Sequence, residues 1–500
     1  MPTHTQIPTT PLELYFAPYR EKIIGIDQTF VTPFGKKPIV YADWTASGRL
    51  YQPIEDQMSR QIAPFVGNTH TETTVTGSSM TQAYHRAKAI IKAHVGAYDK
   101  DVLISSNSGM TGVVNKFQRI LGLKVHEAHR SVVQLPEEER TIVFISHMEH
   151  HSNQTSWLET LADVEVIKPT ADGLVDLDHL RQLLHQYRHR KRKIAAVTSC
   201  SNVTGIKTPY YEIAELMHRN GGLIFVDFAC SAPYIEINMR PNNPLHHLDA
   251  LYFSPHKFLG GPGSSGILVF DPKLYTNRVP DNPGGGTVDW TNPWGGHKYI
   301  DEIEAREDGG TPSFLQTMRV ALCCQLKAHM GVDRILAREK ELLDIIWPRM
   351  DRIPNLHILA DQHRERLGVI SFYIDDLHYN LGVKLLNDRY GIQVRGGCSC
   401  AGTYGHYLLQ VSQEQSRTIT DQISYGDLSA KPGWIRMSIH PTTTNAEAVY
   451  LMDALEDLAT HFRTWSEEYE YHPRINEFTC RRDTGTESAL VDQWFSADLV

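Results

Sequence analysis

Seven cysteines in 500 residues, none in a CxxC pair, leave no disulfide framework to read. Basic residues are also short. Lys and Arg number 49 against 58 Asp and Glu, a formal charge of −9 that argues against a general nucleic-acid binder. No stretch approaches the ~18 uninterrupted apolar residues of a membrane span. The opening "MPTHTQIPTTPLELYF" has no basic start followed by an apolar run, so no signal peptide is expected and the cytosol is the default compartment. No internal repeat stands out. What is present, 41% hydrophobic and 21% charged residues, describes an ordinary globular chain, and its length predicts one large and one smaller domain. The basic run "RHRKRK" (188–193) follows the amphipathic "LVDLDHLRQLLHQY" and reads as a solvated helix end rather than a nucleic-acid patch. Cys323 and Cys324, inside "RVALCCQLKAHM", read as core.

Short β-rich runs alternate with helical patterns: "DVLISS" (101–106), "TIVFIS" (141–146), "VEVIK" (164–168), "IAAVTSC" (194–200), "LIFVDF" (223–228), "ALYFSP" (250–255) and "GILVF" (266–270). Most are apolar on both faces, as strands covered by helices on each side must be. The alternation predicts an α/β architecture with a doubly wound, mostly parallel sheet. After Phe270 comes the Gly/Pro/Trp-rich "DNPGGGTVDWTNPWGGHKY", a functional or interface loop by its length. Strand and helix patterns from 331 to 465 suit a small α+β domain. The expected organisation is an arm over 1–40, a large domain over 41–330, the small domain over 331–465 and a polar tail over 466–500.

In such a sheet, ligands bind past the carboxyl ends of the strands. "NSGMTG" (107–112) follows the first run and opens a helix, so Gly109, Met110 and Thr111 can present backbone N–H groups to an anion. "HMEHHSN" brings His150, His151 and Asn153, "SNVTG" brings Asn202, and the run 223–228 brings Asp227. "YFSPHKFLGGPG" carries Ser254, His256 and Lys257 out of a strand into glycines. Singly, Asp227 could be a helix cap, Asn202 a turn residue, the histidines a polar cluster and Ser108 an N-cap. Together they set an acid, a lysine, an imidazole and an anion cradle at one edge, which is what pyridoxal 5′-phosphate requires.

The motifs resemble those of fold-type I pyridoxal phosphate enzymes of aminotransferase class V, in the branch of cysteine desulfurases and selenocysteine lyases. "YADWTASGR" (41–49) resembles the family's N-terminal motif and places Ala46 at the substrate. The resemblance implies that His150 stacks on the cofactor ring, that Lys257 or His150 moves protons, and that Asp227 partners the pyridine nitrogen. It makes Lys257 the lysine bonded to the cofactor aldehyde, with Ser254, His256 and the 109–111 cradle on the phosphate. "EDGGTPSFLQT" (307–317) resembles a motif whose threonine, here Thr311, reaches the phosphate of a partner subunit, implying a homodimer. Cys230 stands where the family has the glutamine that approaches the ring hydroxyl, and the segments around Gly286 are longer than the common pattern.

"VRGGCSCAG" (394–402) is similar to the desulfurase loop and aligns Cys400 with the nucleophile, Cys398 and Ser399 replacing two histidines. A redox pair, a half metal site with His406, or two incidental cysteines remain open readings; zinc wants about four ligands, and no metal site is read. "GWIRMSIHPTTT" (433–444) resembles the strand whose arginine, Arg436, clamps the substrate carboxylate together with Asn202. The implied activity removes sulfur from L-cysteine or a related amino acid as a persulfide on Cys400, releasing alanine, with a sulfur-acceptor protein as possible partner. The alternatives are a class V aminotransferase, a β-eliminating C–S lyase, or a cofactor-binding scaffold without turnover.

Overall fold

The computed structural model describes residues 8–69, 71–483 and 485–496. Two compact units partition the chain: residues 45–335 form one, and the segments before and after them form the other.

The first unit is built on seven strands: β1 (Val102–Ser106), β2 (Ile142–Ser146), β3 (Asp163–Ile167), β4 (Lys193–Thr198), β5 (Leu223–Asp227), β6 (Ala250–Phe253) and β7 (Gly266–Phe270). Their order across the sheet is β1-β7-β6-β5-β4-β2-β3. The five strands β2 to β6 run parallel, while β7 is antiparallel to both β6 and β1. Strands β2, β4, β6 and β7 are buried at every position, so apolar side chains are needed on both faces. Helices α1 (Gly109–Ile120), α2 (His151–Leu158) and α3 (Tyr210–Arg219) follow strands β1, β2 and β4. The apolar stripe of α1, with Val113, Val114 and Phe117, packs with Phe225, Tyr252 and Phe270 of the sheet. Because β7 is reversed, its first residue, Gly266, pairs with Ser106 at the carboxyl end of β1. That brings the 264–266 turn to the same edge as the residues that end the parallel strands.

The basic run beyond residue 187 is compensated locally. Arg190 pairs with Asp163 at 2.7 Å and Glu137 at 3.4 Å, and Lys191 pairs with Glu139. The 281–299 stretch, expected as a loop, contains a two-stranded ribbon of Val288–Thr291 and His297–Tyr299. Trp290 and Trp294 are exposed on it. Its strands are short and face solvent, so no apolar alternation announces them.

The other unit has a four-stranded antiparallel sheet of β8 (Leu356–Ile358), β9 (Val369–Ile374), β10 (Arg395–Gly397) and β11 (Trp434–Ser438), ordered β8-β9-β11-β10. Helices Tyr379–Tyr390 and Asn445–Ser466 supply Leu385, Leu386, Leu451, Leu455 and Leu458 to its core. The N-terminal helix Pro11–Arg20 belongs to this unit, where Arg20 forms a bidentate pair with Glu447 at 2.7 Å. The polar stretch after 466 holds a hairpin, Tyr469–His472 with Glu477–Cys480, anchored by Tyr469 Oη on buried Asp388 at 3.0 Å. It also holds the helix Thr486–Phe495.

Candidate active site

The carboxyl edge of the seven-stranded sheet gathers most of the expected residues. Asp227, the last residue of β5, is buried, and its Oδ1 accepts a hydrogen bond from Ala229 N at 2.8 Å. Burial pushes its carboxyl up to about 6, opposed by that hydrogen bond and by the nearby charge of Lys257. A carboxylate held at this cost in a buried position fits a cationic partner. Lys257 ends the short turn Pro255–Lys257 just after β6. The turn is clasped from outside by 46–49: Gly48 N donates to His256 O at 2.8 Å and Gly260 N donates to Arg49 O at 2.7 Å. A Cβ at position 48 would lie 1.9 Å from Phe258 O, so only glycine permits this approach. Ala46 is therefore carried to the lysine turn by its neighbours Ser47 and Gly48. His256 Nδ1 lies 3.5 Å from Ser47 Oγ, and burial, with the Lys257 charge adding, lowers its imidazole to about 4.

The anion cradle is formed by backbone as much as by side chains. Gly109 has φ +61°, and Met110 N donates to Ser254 Oγ at 2.9 Å. A Cβ on Gly266 would lie 2.0 Å from Gly109 O, so the absence of a side chain there keeps the start of α1 against β7. Thr111 Oγ1 and Ser152 Oγ lie 2.6 Å apart, linking the first turns of α1 and α2. His150 caps α2: its Nδ1 accepts from Ser152 N at 3.1 Å, so in the neutral ring the proton is on Nε2. Asn202 is buried in the turn after β4. Cys230 Sγ lies 3.6 Å from Ser201 O and 4.0 Å from Cys200 Sγ. Thr311 is exposed and is not drawn into this cluster; two residues on, Ser313 Oγ accepts from Ser265 Oγ at 2.7 Å.

Beneath the edge lies a polar layer in which Asn153 was expected at the strand end, whereas Glu149 escaped the sequence reading. Glu149 is buried, and its carboxylate accepts from Thr198 N at 2.9 Å and Asn153 Nδ2 at 2.7 Å. Asn153 Oδ1 in turn accepts from Tyr252 Oη at 2.6 Å and Trp157 Nε1 at 3.2 Å. Burial raises Glu149 to about 8 against these hydrogen bonds. The layer ties β2, β4, β6 and α2 together under Asp227. A carboxylate inside "MEHHSN", directly after a strand of five buried residues, was the available signal.

The other unit carries Arg436 and Cys400. Arg436 lies on β11, buried, and its Nη2 donates to Asp43 Oδ1 at 2.8 Å, while Arg395 Nε is 3.3 Å from Asp43 Oδ2. Cys400 is exposed, Cys398 is half-buried and the other five cysteines are buried. Ser399 and Cys400 have φ of 51° and 57°, two consecutive non-glycine residues in the left-handed region. Such backbone costs roughly 1–3 kcal/mol per residue and collects at functional sites. His406 Nδ1 lies 2.8 Å from Gly402 O and its Nε2 lies 2.9 Å from Ser416 Oγ.

The donor set in the first unit fits pyridoxal 5′-phosphate. It combines a lysine on a turn, a buried carboxylate for a protonated nitrogen, an imidazole of fixed tautomer and a glycine-lined helix start with hydroxyls. An Asp227 that partners the pyridine nitrogen must be ionised, and burial pushes its carboxyl up to about 6, so cofactor affinity is expected to fall as pH drops through that value. Equilibrium binding of the cofactor between pH 5 and 8 checks this. Asp227→Asn should bind weakly with a flatter profile, and an unchanged wild-type slope in the variant would contradict the assignment.

The aminotransferase class-V family model matches residues 40–451. A probable cysteine desulfurase of Staphylococcus aureus (strain Mu50) is 27% identical over 370 residues, spanning 73% of this chain and 84% of that one. One from Halalkalibacterium halodurans is 26% identical over 368 residues, with the same coverage of 73% and 84%. Among solved structures, apo cysteine desulfurase from Thermococcus onnurineus NA1 superposes with a TM-score of 0.72 at 20% identity, covering 91% of this chain and 99% of that one. A cysteine desulfurase of Escherichia coli gives 0.68 at 20% identity, covering 89% and 98%. At that identity the structural likeness is one of fold. With the family model spanning most of the chain, this protein belongs to the aminotransferase class-V family and is an enzyme of the pyridoxal phosphate-dependent fold type I.

Proposed function

We propose that this enzyme is a cysteine desulfurase: it removes sulfur from L-cysteine or a closely related amino acid, leaves it as a persulfide on Cys400 and releases alanine. The observation that carries this reading is Cys400 itself, the exposed one of seven cysteines, on strained backbone next to a helix start. A thiol that must reach a substrate and then hand sulfur on needs exposure. The named relatives point the same way.

When bound, the cofactor supplies an electron sink for charge at the substrate α-carbon. Asp227 holds the ring nitrogen protonated, His150 covers the ring, and the 109–111 backbone with Ser254 and His256 binds the phosphate. Arg436, kept in place by Asp43, takes the substrate carboxylate, with Asn202 and Ala46 as further contacts. Lys257 would hold the cofactor through its amine, and Lys257 or His150 would carry the proton to and from the substrate α-carbon. The Cys400 thiolate attacks the substrate sulfur. A sulfur–sulfur bond forms, the carbon–sulfur bond breaks, and its electron pair stays with the β-carbon, which takes up a proton. Cysteine and a thiol thus become alanine and a persulfide, which a thiol of an acceptor protein can take. Incubation with L-cysteine should give alanine and transferable sulfur in equal amounts. Pyruvate would instead mark an eliminating lyase, and 2-oxo acid turnover an aminotransferase.

Arg436→Ala should raise KM for the amino acid. One lost charged hydrogen-bond pair costs ~1.5–3 kcal/mol, or about ten- to more than a hundredfold. Steady-state kinetics with unchanged cofactor content checks it, and an unaltered KM would remove Arg436 from the substrate.

The proposal includes a homodimer in the cytosol, where seven unbridged thiols stay reduced. Exposed Trp290, Trp294 and Thr311 are the residues that support a shared interface. Sedimentation at micromolar concentration should show a dimer, and a fully active monomer would contradict it.

A further inference from the structure

At the amino-terminal end of the seven-stranded sheet, away from the cofactor edge, lies a cluster that the chemistry above does not use. His218 lies in the last turn of α3, Asp249 immediately precedes β6, and His247 is two residues earlier. The Asp249 carboxylate, 8% exposed, spans both rings: Oδ2 is 3.0 Å from His218 Nε2 and Oδ1 is 3.4 Å from His247 Nε2. Oδ2 also accepts from Ile224 N at 2.8 Å, which fixes the carboxylate against β5. The two imidazoles stack face to face, with centroids 3.9 Å apart and planes 4° from parallel.

The other ring nitrogens decide what the cluster can hold. His218 Nδ1 lies 2.7 Å from Leu245 O and His247 Nδ1 lies 2.6 Å from Pro244 O. A carbonyl only accepts, so both Nδ1 atoms carry protons. A neutral ring then presents a lone pair at Nε2 to a carboxylate that also only accepts. Protonating both rings would stack two cations over one carboxylate, whereas a single metal ion can take the place of the two protons. Two like charges on rings stacked 3.9 Å apart would repel each other. A metal ion removes the conflict. Histidines that ligate metals usually donate their second N–H to a carbonyl or carboxylate, the arrangement both rings already have.

We propose that His218, His247 and Asp249 bind a divalent metal ion of the zinc type, with water completing the coordination. The three ligand atoms lie within 4.8 Å of one another. Two donors each ~2.0–2.2 Å from a tetrahedral ion stand about 3.3 Å apart, and the two nitrogen–oxygen separations bracket that value. The χ2 torsion of histidine is broad, so the rings can fan from parallel onto one ion. The ion joins the end of α3, the start of β5, the 244–247 turn and the start of β6. It is a structural staple for the sheet that carries Asp227 and Lys257, on the edge opposite to them.

The test uses full-length holoenzyme stripped with a chelator and titrated with Zn²⁺, alongside His247→Ala, whose lost side chain is 32% exposed. The wild type should bind one more Zn²⁺ per chain than the variant. Its melting temperature should rise with Zn²⁺, and the variant should need at least about 10–100-fold more metal for the same rise. Equal uptake and equal melting response in both would overturn the site in favour of a doubly protonated pair. Should His247→Ala fail to fold, Co²⁺ added to the stripped wild type decides. Visible bands of a four- or five-coordinate ion without a thiolate charge-transfer band support the site, whereas a thiolate band, or no bands, would contradict it.

Discussion

Replacing Cys400 with alanine is expected to reduce alanine and persulfide formation from L-cysteine to background, while the visible band of the bound cofactor still shifts when cysteine is added. The two outcomes separate because they rest on different groups. In the proposed reaction, substrate capture at the cofactor rests on Lys257, Asp227 and Arg436, whereas cleavage of the carbon–sulfur bond needs a thiol to accept the sulfur. Cys398→Ala should retain most of the activity, because Cys398 is half-buried whereas Cys400 is exposed. Product analysis by amino-acid and sulfide assays checks both variants. Normal alanine release by Cys400→Ala would move the enzyme to the aminotransferase or eliminating-lyase reading.

Lys257→Ala should lose at least the ~10²–10⁴-fold attributable to a positioned proton carrier. Covalent attachment goes with it: borohydride reduction of the wild type should fix the cofactor on the peptide containing Lys257, and reduction of the variant should fix none. The variant should still bind the cofactor noncovalently. Its 109–111 cradle, the Ser254 hydroxyl and the buried Asp227 are independent of that side chain, apart from the Asp227 carboxyl losing the neighbouring ammonium that lowers it. Labelling of another lysine in the wild type would overturn the assignment.

Much of the cofactor edge was legible because its two signals are local. Strands buried on both faces leave continuous apolar runs, so "LIFVDF" and "ALYFSP" located β5 and β6 to within a residue or two, and polar residues directly after such runs marked the edge. The direction of a strand leaves no such mark. The reversed β7, which carries Gly266 to the cradle, reads like its parallel neighbours. Two-stranded ribbons facing solvent, such as 288–299 and 469–480, have no apolar face to betray them. Pairings across the chain were equally hidden. Asp43 sits in a quoted motif, yet its contact with Arg436, 393 positions away, is set by tertiary packing alone. The His218–His247–Asp249 cluster is similarly assembled from a helix end and a turn that no spacing rule connects.

The central claim, that sulfur leaves the substrate by way of Cys400, is tested most directly by mass spectrometry of the enzyme quenched during turnover with L-cysteine and without reductant. The account predicts that the peptide containing Cys400 gains the mass of one sulfur atom, that a thiol reductant removes it, and that no other cysteine peptide gains it to a comparable extent. An unmodified Cys400 peptide during active turnover, or the added sulfur on another cysteine, would contradict it.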